Sequence, residues 1–363
     1  MPSAILYGFI FFITGVLSEY TVRIEDYLKE EKVKKIIFTL LILSIPAFFA
    51  GIRYEVGTDY LNYVNIFSGI RKNGFNSRFE LGFNLINYTV AQFGGDVQIV
   101  FFIMFLLTIL FVYLFLYEYR NQLNIGIGIF IFLVMFYNSS LNIVRQGLAT
   151  MIALYAIQFM DKQKLKPFLF FVLLAMSFHV GAIVLIPVYI VYNLLLHQRM
   201  LYRVIFYVVF LLVLANYQII VEVISIEILN TDKYLYLARD SERNIALGAF
   251  VLYAPHLLVG FIFYEGLMRE NKSFKLFYFL LVIGYLMGFL PAFGAPMPLR
   301  RIANFFTAAN IWLVPYYYQY FKTKTNYSWL IPLLIFYVLL TWYAMYILGG
   351  NADTVPYNTI FNF

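Results

Sequence analysis

Residues 97–117 read VQIVFFIMFLLTILFVYLFLY, a stretch that contains no Asp, Glu, Lys or Arg. An α-helix needs about 20 consecutive apolar residues to cross the hydrocarbon core of a bilayer, and this stretch is long enough. The rest of the 363-residue chain has the same character, since 63% of its residues are hydrophobic and only 12% are charged. Soluble domains carry about 25% charged residues. The sequence therefore predicts an integral membrane protein.

Apolar runs separated by charged or turn-rich breaks predict an all-α, polytopic transmembrane bundle of about twelve spans. No basic segment precedes the first run, so we expect it to remain as a helix rather than to be cleaved as a signal peptide. No internal repeat or soluble domain is evident, which predicts one membrane domain over residues 1–363. The predicted spans lie near residues 4–18, 36–51, 97–117, 125–137, 140–160, 167–178, 180–196, 204–221, 249–267, 276–292, 302–321 and 329–347.

The positions of Lys and Arg predict which side of the membrane each connection faces, because short cytoplasmic loops are enriched in both residues. The opposite set of connections holds 10 basic residues and includes two long segments, 52–96 and 222–248, which we expect to form outer caps. Both termini are then outside. Within 52–96, residues 81–90 mix apolar residues with Asn at helical spacing, which favours an interfacial or re-entrant helix. The predicted cytoplasmic connections hold 16 of the 26 basic residues, in 19–35, 118–124, 161–166, 197–203, 268–275 and 322–328.

The outer connections also differ from the cytoplasmic ones in the type of basic residue. Eight of their ten basic residues are Arg, whereas Lys predominates in the cytoplasmic set. The forked guanidinium of Arg suits phosphate and carboxylate oxygens, while Lys suffices as a diffuse charge. The outer face is therefore expected to bind an anion. Topology explains the net charge of +7, which is no sign of nucleic-acid binding, and the lack of cysteine excludes disulfides, thiolate metal sites and a cysteine nucleophile.

Candidate anion-binding residues lie in two of these outer segments. Asn142, Arg145 and Gln146 are spaced to share one face of a helix that enters the membrane, where charged groups usually line a cavity. Arg145 could instead extend from a helix end to the lipid headgroups. Arg300 and Arg301 follow a turn rich in Gly and Pro, and they could also be a simple charge pair at a loop end.

Two further residues are candidates for proton transfer. Asp59 follows Gly57 and Thr58, and it could serve as a base or merely cap a turn. His179 lies near the tip of an outer hairpin, and it could be functional or a packing residue. Glu55 and Asp59 could share a divalent cation through their carboxylates. The excess of Arg favours a metal-free site, so we expect no metal and no cofactor.

The outer motifs, taken in order, resemble those of a known family. The matching elements are Arg53-Tyr54-x-Val56-Gly57-Thr58-Asp59-Tyr60, Arg78-Phe79-Glu80-x-Gly82-Phe83, Asn142-x-x-Arg145-Gln146-x-x-Ala149, Ser177-Phe178-His179, and Arg301 with a Pro356-Tyr357 tail. They are similar to the EpsG family of Wzy-type polysaccharide polymerases. The resemblance implies the GT-C-like architecture of large membrane glycosyltransferases. It also implies a bacterial inner-membrane enzyme that polymerises oligosaccharide units on undecaprenyl diphosphate for O-antigen, capsule or exopolysaccharide, with a chain-length regulator protein as a candidate partner.

The resemblance assigns expected roles to the outer residues. Arginines would clamp the diphosphate and stabilise it as it departs. Asp59 or His179 would take the proton from the acceptor hydroxyl, and in-line displacement would invert the anomeric centre. Exposed Tyr54, Tyr60 and Tyr63 could stack on sugar rings. The expected clamp is Arg145, Arg300 and Arg301, and the other expected substrate-binding residues are Arg53, Tyr54, Arg78, Glu80, Asn142 and Gln146.

Two other functions are open at this point. A membrane O-acyltransferase could use His179 as its base, but it needs a thioester donor from the cytoplasm, and the polar cluster is predicted on the other side. A flippase or transporter also suits about twelve spans. Such a protein should carry ionisable groups near the middle of the bilayer between repeated halves, whereas here they collect at one surface.

Overall fold

The computed structural model describes residues 2–24, 32–76, 78–195, 199–228, 235 and 247–361. The described residues are mostly helical, and β-type pairing among them is limited to a bridge between Arg53 and Thr359. The helices are α1 (Pro2–Ile24), α2 (Lys32–Ile52), α3 (Tyr60–Asn73), α4 (Leu81–Gln92), α5 (Val97–Glu118), α6 (Ile125–Asn142), α7 (Val144–Asp161), α8 (Leu165–Met176), α9 (Leu185–Leu195), α10 (Met200–Ala215), α11 (Tyr217–Val223), α12 (Leu247–Ile262), α13 (Tyr264–Glu270), α14 (Phe274–Met287), α15 (Met297–Arg301), α16 (Asn304–Thr307), α17 (Asn310–Lys322) and α18 (Leu330–Trp342).

Several helical segments make the chain a multi-pass membrane protein. Within the described residues, six segments are long and apolar enough to cross a bilayer, and α10 with α11 adds a seventh if their 73° bend is counted within one span. The prediction of an all-α membrane protein is therefore confirmed. The six segments are Pro2–Arg23, Lys35–Ile52, Val97–Glu118, Ile125–Asn142, Phe274–Phe293 and Leu330–Leu348.

The predicted number of about twelve spans is not confirmed. Helices α8 and α9 have 12 and 11 residues. At 1.5 Å per residue, a helix of that length covers roughly 18 Å, well short of a hydrocarbon core about 30 Å thick. The predicted span at 302–321 is interrupted between α16 and α17. Apolar runs alone do not fix the number of spans, because composition does not reveal where a helix breaks. The GT-C-like architecture stays a prediction.

Contacts divide the chain into two compact units, Met1–Ile183 with Ile311–Phe363, and Val184–Asn310. The second unit contains α9 to α16 and includes the bend between α10 and α11. Most of the predicted outer cap 222–248 lies outside the described residues. The single membrane domain over residues 1–363 stays a prediction.

The connections of the first unit collect at two opposite ends. At one end, which we name the Glu19 end, the Glu19 carboxylate accepts the Gly126 N–H at 3.1 Å, joining the end of α1 to the start of α6. Lys162 pairs with Glu118 at 2.6 Å, joining the ends of α7 and α5. These contacts bring together the predicted cytoplasmic connections 19–35, 118–124 and 161–166. Connections that the Lys and Arg pattern predicts on one side of the membrane thus lie at one end of this unit.

At the opposite end, which we name the Arg53 end, the C-terminal segment 351–360 lies along residues 52–58. We name this segment the tail strap. Gly57 has φ of 102°, a conformation that residues with a Cβ rarely adopt, and this lets the chain turn along the strap. The backbone hydrogen bonds are Ile360 N–H to the Ile52 carbonyl (2.9 Å), Tyr54 N–H to Asn358 (3.0 Å), Gly57 N–H to Asp353 (2.9 Å) and Thr58 N–H to Ala352 (3.2 Å).

A buried polar network anchors the tail strap to the helices. Thr354 is fully buried, and its hydroxyl accepts a hydrogen bond from Asn138 Nδ2 at 2.9 Å. Asn138 Oδ1 in turn accepts from Trp342 Nε1 at 2.9 Å. The Tyr7 hydroxyl donates to the Thr354 carbonyl at 2.7 Å. The strap is therefore bound to α1, α6 and α18 through buried polar groups. If one partner is removed, water does not replace its hydrogen bond.

We expect Asn138→Ala to weaken this network. The change leaves Trp342 Nε1 and Thr354 Oγ1 buried without their Asn138 partner, which costs about 1–3 kcal/mol. The thermal unfolding midpoint in detergent should fall, and the tail strap should become more sensitive to protease. Asn351→Ala, at an exposed position of the same strap, is the control and should behave like the wild type. Equal midpoints for all three proteins would contradict the anchoring role of Asn138.

Candidate functional site

Asn142 holds the loop 53–59 against the end of α6. Its side-chain oxygen accepts hydrogen bonds from the Thr58 hydroxyl at 2.8 Å and from the Asp59 N–H at 2.7 Å. Asn142 is itself buried. The Asn142 amide oxygen therefore binds groups of the protein itself, and it positions Asp59 at the start of α3.

The sequence predicts that Asn142, Arg145 and Gln146 share one face of a single helix, and this is wrong. Helix α6 ends at Asn142 and α7 begins at Val144. Between them, Ile143 has φ −95° and ψ 58°, outside the helical region. The i, i+3, i+4 rule holds only within a continuous helix, so one non-helical residue is enough to break it. Arg145 and Gln146 lie instead in the first turn of α7.

Arg145 pairs with one carboxylate. Its Nη1 lies 2.6 Å from Glu80 Oε2, and the two side chains are 26% and 21% exposed. The guanidinium carbon lies 5.4 Å from the Phe83 ring centre and 5.8 Å from that of Phe79. Arg145 Nε is buried and has no hydrogen-bond partner within the described part of the chain. Arg145 is thus a cation that remains reachable from solvent and retains an unused donor.

Tyr63 links this pair to Asp59. The Tyr63 side chain is buried and lies within the electrostatic reach of both Arg145 and Asp59. Burial raises the pKa of the Tyr63 phenol, so it stays neutral at physiological pH. The sequence interpretation of Tyr60 and Tyr63 as exposed sugar-stacking residues is wrong, because both side chains are buried. Tyr54 is half-buried, with its ring 6.0 Å from that of Tyr60.

The turn that carries His179 packs against the start of α4. The Gly82 N–H donates to the Ser177 carbonyl at 2.7 Å, and a Cβ at Gly82 would lie 2.7 Å from Ser177 Oγ. Only glycine fits there without displacing the turn. His179 Nδ1 accepts the Gly181 N–H at 3.1 Å, which assigns the proton of a neutral ring to Nε2. This geometry favours His179 as a hydrogen-bond donor over His179 as a base.

Arg53 occupies a very different environment from Arg145. It is 1% exposed, and its guanidinium carbon lies 4.1 Å from the centre of the Phe101 ring. The Nε and Nη2 groups have no hydrogen-bond partner within the described residues. Burial lowers the pKa of Arg53 to about 10, so the group remains a cation at neutral pH. The neighbouring phenol groups belong to Tyr60, Tyr63, Tyr137 and Tyr357.

The remaining predicted site residues have weaker geometric support. Arg78 is exposed, and its backbone N–H donates to Asn76 Oδ1 at 3.0 Å. Gln146 is buried. Glu55 is exposed. The described residues contain no group of three or more His, Asp or Glu side chains that could hold a metal ion.

Arg300 and Arg301 belong to the second unit, where they form the last turn of α15. Both are half-buried, and Arg300 Nε donates a hydrogen bond to the Ala295 carbonyl. The other predicted residues, from Arg53 to His179, all belong to the first unit. A clamp shared by Arg145, Arg300 and Arg301 stays a prediction.

Sequence reasoning missed the carboxylate partner of Arg145 and the aromatic surroundings of Arg53. The pairing of Glu80 with Arg145 joins residues 65 positions apart, so no local spacing reveals it. Phe101 lies in the middle of an apolar run and looks like any other membrane-facing residue. The one local signal was the clustering of polar motifs in predicted outer connections.

We expect Arg53→Met to leave the fold intact and Arg53→Ala to destabilise it. A buried cation without a carboxylate partner can be replaced by an apolar side chain of similar length at little cost in stability. Alanine instead leaves a cavity and should cost about 2–5 kcal/mol. Thermal unfolding of the purified variants in detergent measures the difference. A midpoint for Arg53→Met as low as that for Arg53→Ala would show that the charge itself stabilises the fold.

Comparison with known proteins identifies the family of the chain. The model of the EpsG family matches residues 35–359, a range that includes all the motifs described above. No curated protein matches the chain, and no solved structure matches it. Because the family model covers most of the sequence, the chain belongs to the EpsG family, whose members are Wzy-like polysaccharide polymerase-related proteins.

Proposed function

We propose that this membrane protein is a glycosyltransferase that joins undecaprenyl-diphosphate-linked oligosaccharide repeat units on the outer face of the bacterial cytoplasmic membrane. The observation that carries the proposal is Arg145, a half-exposed arginine at the start of α7 with Glu80 and Tyr63 around it. Membership of the EpsG family supports the class of reaction. The lipid-linked oligosaccharide is then the substrate, and the Arg53 end faces outward.

Arg145 is suited to the charged part of this substrate. A lipid diphosphate carries about two negative charges at the membrane surface, and an arginine fork binds phosphate oxygens strongly. The N-terminus of α7 adds the partial positive charge of the helix dipole at the same place. As the sugar is transferred, the full charge develops on the leaving diphosphate. A preorganised donor of this kind typically contributes about 10²–10³ in rate.

Asp59 is our candidate for the base. In the proposed step, the acceptor hydroxyl oxygen attacks the anomeric carbon of the growing chain, and its proton moves to the Asp59 carboxylate. The bond from the anomeric carbon to the diphosphate breaks, and its electron pair leaves with the phosphate oxygen. Attack opposite the leaving group inverts the anomeric centre. His179, whose Nδ1 already accepts a hydrogen bond, is better suited to donate from Nε2 to substrate oxygens.

Arg300 and Arg301 complete the proposal as further diphosphate-binding residues. Both occupy the short helix α15 after a Gly-Ala-Pro turn, and the Arg300 side chain is tied to the Ala295 carbonyl of that turn. A tethered guanidinium loses less freedom on binding an anion than one on a mobile loop.

We expect Arg145→Ala to abolish long polymer in cells that depend on this protein. Single lipid-linked repeat units should accumulate on the outer leaflet with the protein level unchanged, because repeat units still cross the membrane but are not joined. Arg145→Lys keeps the charge without the fork, so it should retain a small fraction of activity. Gel analysis of the polysaccharide ladder measures both variants.

Arg120→Ala is the matched control for Arg145→Ala. Arg120 also lies over an aromatic ring, 4.2 Å from the centre of Tyr117, but it belongs to the Glu19 end of the same unit. It should leave the ladder unchanged. A normal ladder from Arg145→Ala would refute the assignment of Arg145, and repeat units retained on the cytoplasmic leaflet would indicate a flippase instead.

We expect Asp59→Asn to lower the rate of polymerisation by about 10²–10⁴, the usual contribution of a general base. The asparagine keeps the size of the side chain, and the Asp59 N–H remains available to Asn142. Rates measured in proteoliposomes with purified lipid-linked repeat units test this. Asp96→Asn, at an exposed carboxylate 3.7 Å from Arg71, is the control and should be fully active. Near-normal rates for Asp59→Asn would point to a different base.

A further inference from the structure

The Glu80–Arg145 ion pair poses a problem for the proposed substrate. Its N–O distance of 2.6 Å is that of a strong, charge-assisted hydrogen bond. A diphosphate oxygen that bound Arg145 Nη1 would compete with Glu80 for that group. If Glu80 stayed in place, its carboxylate would lie beside the incoming diphosphate, and like charges at that distance repel.

Glu80 is placed so that its side chain can move while its backbone stays fixed. The residue precedes α4, and its carbonyl accepts the Asn84 N–H at 3.0 Å in the first turn of that helix. Two residues later, the Gly82 N–H is held by the Ser177 carbonyl. The Glu80 side chain is 21% exposed, so water can solvate its carboxylate when it leaves Arg145.

We propose that Glu80 is the resident counter-ion of Arg145, which the diphosphate of the lipid-linked substrate displaces and which later displaces the diphosphate product. This inference rests on the proposed function, because it needs a diphosphate at Arg145. In the resting protein, Glu80 neutralises a half-buried cation that would otherwise be costly to keep. After transfer, the return of Glu80 to Arg145 lowers the affinity for undecaprenyl diphosphate and speeds its release.

The contrast with Arg53 supports this division of roles. Arg53 is 1% exposed and lies among aromatic rings, so an anion cannot reach it without rearrangement of the tail strap. Arg145 is 26% exposed and is neutralised by a side chain that can swing into water. Of these two arginines near the loop 53–59, only Arg145 can exchange one anion for another.

The counter-ion role predicts a split between binding and turnover. Glu80→Gln removes the competing charge, so the diphosphate should bind more tightly and KM should fall. The product should also leave more slowly, and kcat should fall if release limits the rate. A residue that only stabilised the fold would instead lower binding and turnover together.

The direct test measures the affinity for inorganic pyrophosphate of the full-length protein in lipid nanodiscs. Glu80→Gln should bind pyrophosphate about tenfold more tightly than the wild type, and Arg145→Ala should bind it much more weakly than the wild type. Glu118→Gln is the matched control. Glu118 pairs with Lys162 at the same 2.6 Å distance, but at the Glu19 end, and should leave the affinity unchanged.

Glu80→Asp keeps the inference testable if Glu80→Gln does not fold. Its carboxylate is one methylene shorter and holds Arg145 less closely, so pyrophosphate affinity should lie between those of the wild type and the expected Gln variant. The inference is overturned if a folded Glu80 variant binds pyrophosphate no more tightly than the wild type. An Arg145→Ala variant that binds pyrophosphate as tightly as the wild type would overturn it too.

The polysaccharide ladder separates this inference from the proposed function. A normal ladder from Arg145→Ala would refute both the proposed role of Arg145 and the counter-ion role of Glu80, since no diphosphate would then need Arg145. Loss of the ladder in Arg145→Ala, together with unchanged pyrophosphate affinity in Glu80→Gln, would remove only the counter-ion role of Glu80.

Discussion

The burial of Arg53 is the constraint on which the Arg53 end depends. A guanidinium group that is 1% exposed needs a substitute for water, and the face of Phe101 and the surrounding tyrosines supply it. Covering the group requires the loop after α2, the start of α5 and the tail strap to meet. The backbone hydrogen bonds between residues 52–58 and 351–360 close this arrangement.

The same arrangement gives the site its geometry. Because the strap and the Asn142 side chain hold the loop 53–59 from two sides, Asp59 has a defined position at the start of α3. Tyr63, one turn further along, lies within electrostatic reach of both Asp59 and Arg145. The buried Arg53 side chain therefore fills the interior of this arrangement, while the accessible Arg145 is left for chemistry. Arg53 and Arg145 look alike in sequence, but Arg53 is part of the buried interior and Arg145 is available to a substrate.

Prediction from sequence grouped the polar segments correctly, while the side of the membrane that they face stays a prediction. Segments 52–80, 142–146, 177–179 and 351–357 were all expected on one side of the membrane, and they meet at one end of the first unit. The prediction of one continuous helix failed at Ile143. Its backbone dihedral angles are not helical, and this changes the direction in which the following side chains point. Prediction also failed for Tyr60 and Tyr63, whose burial depends on α5 packing over them.

By itself, the sequence determined that this is a helical membrane protein of the EpsG family, and that its polar motifs occupy one set of connections. The apolar runs indicate the membrane helices, the ordered motifs indicate the family, and the cost of placing charge in lipid keeps those motifs in the connections. Only the tertiary structure decided which arginine is buried, which is paired with Glu80, and which ring nitrogen of His179 is engaged. Those properties arise from contacts between residues far apart in the chain, such as Thr58 with Asn142 across 84 positions.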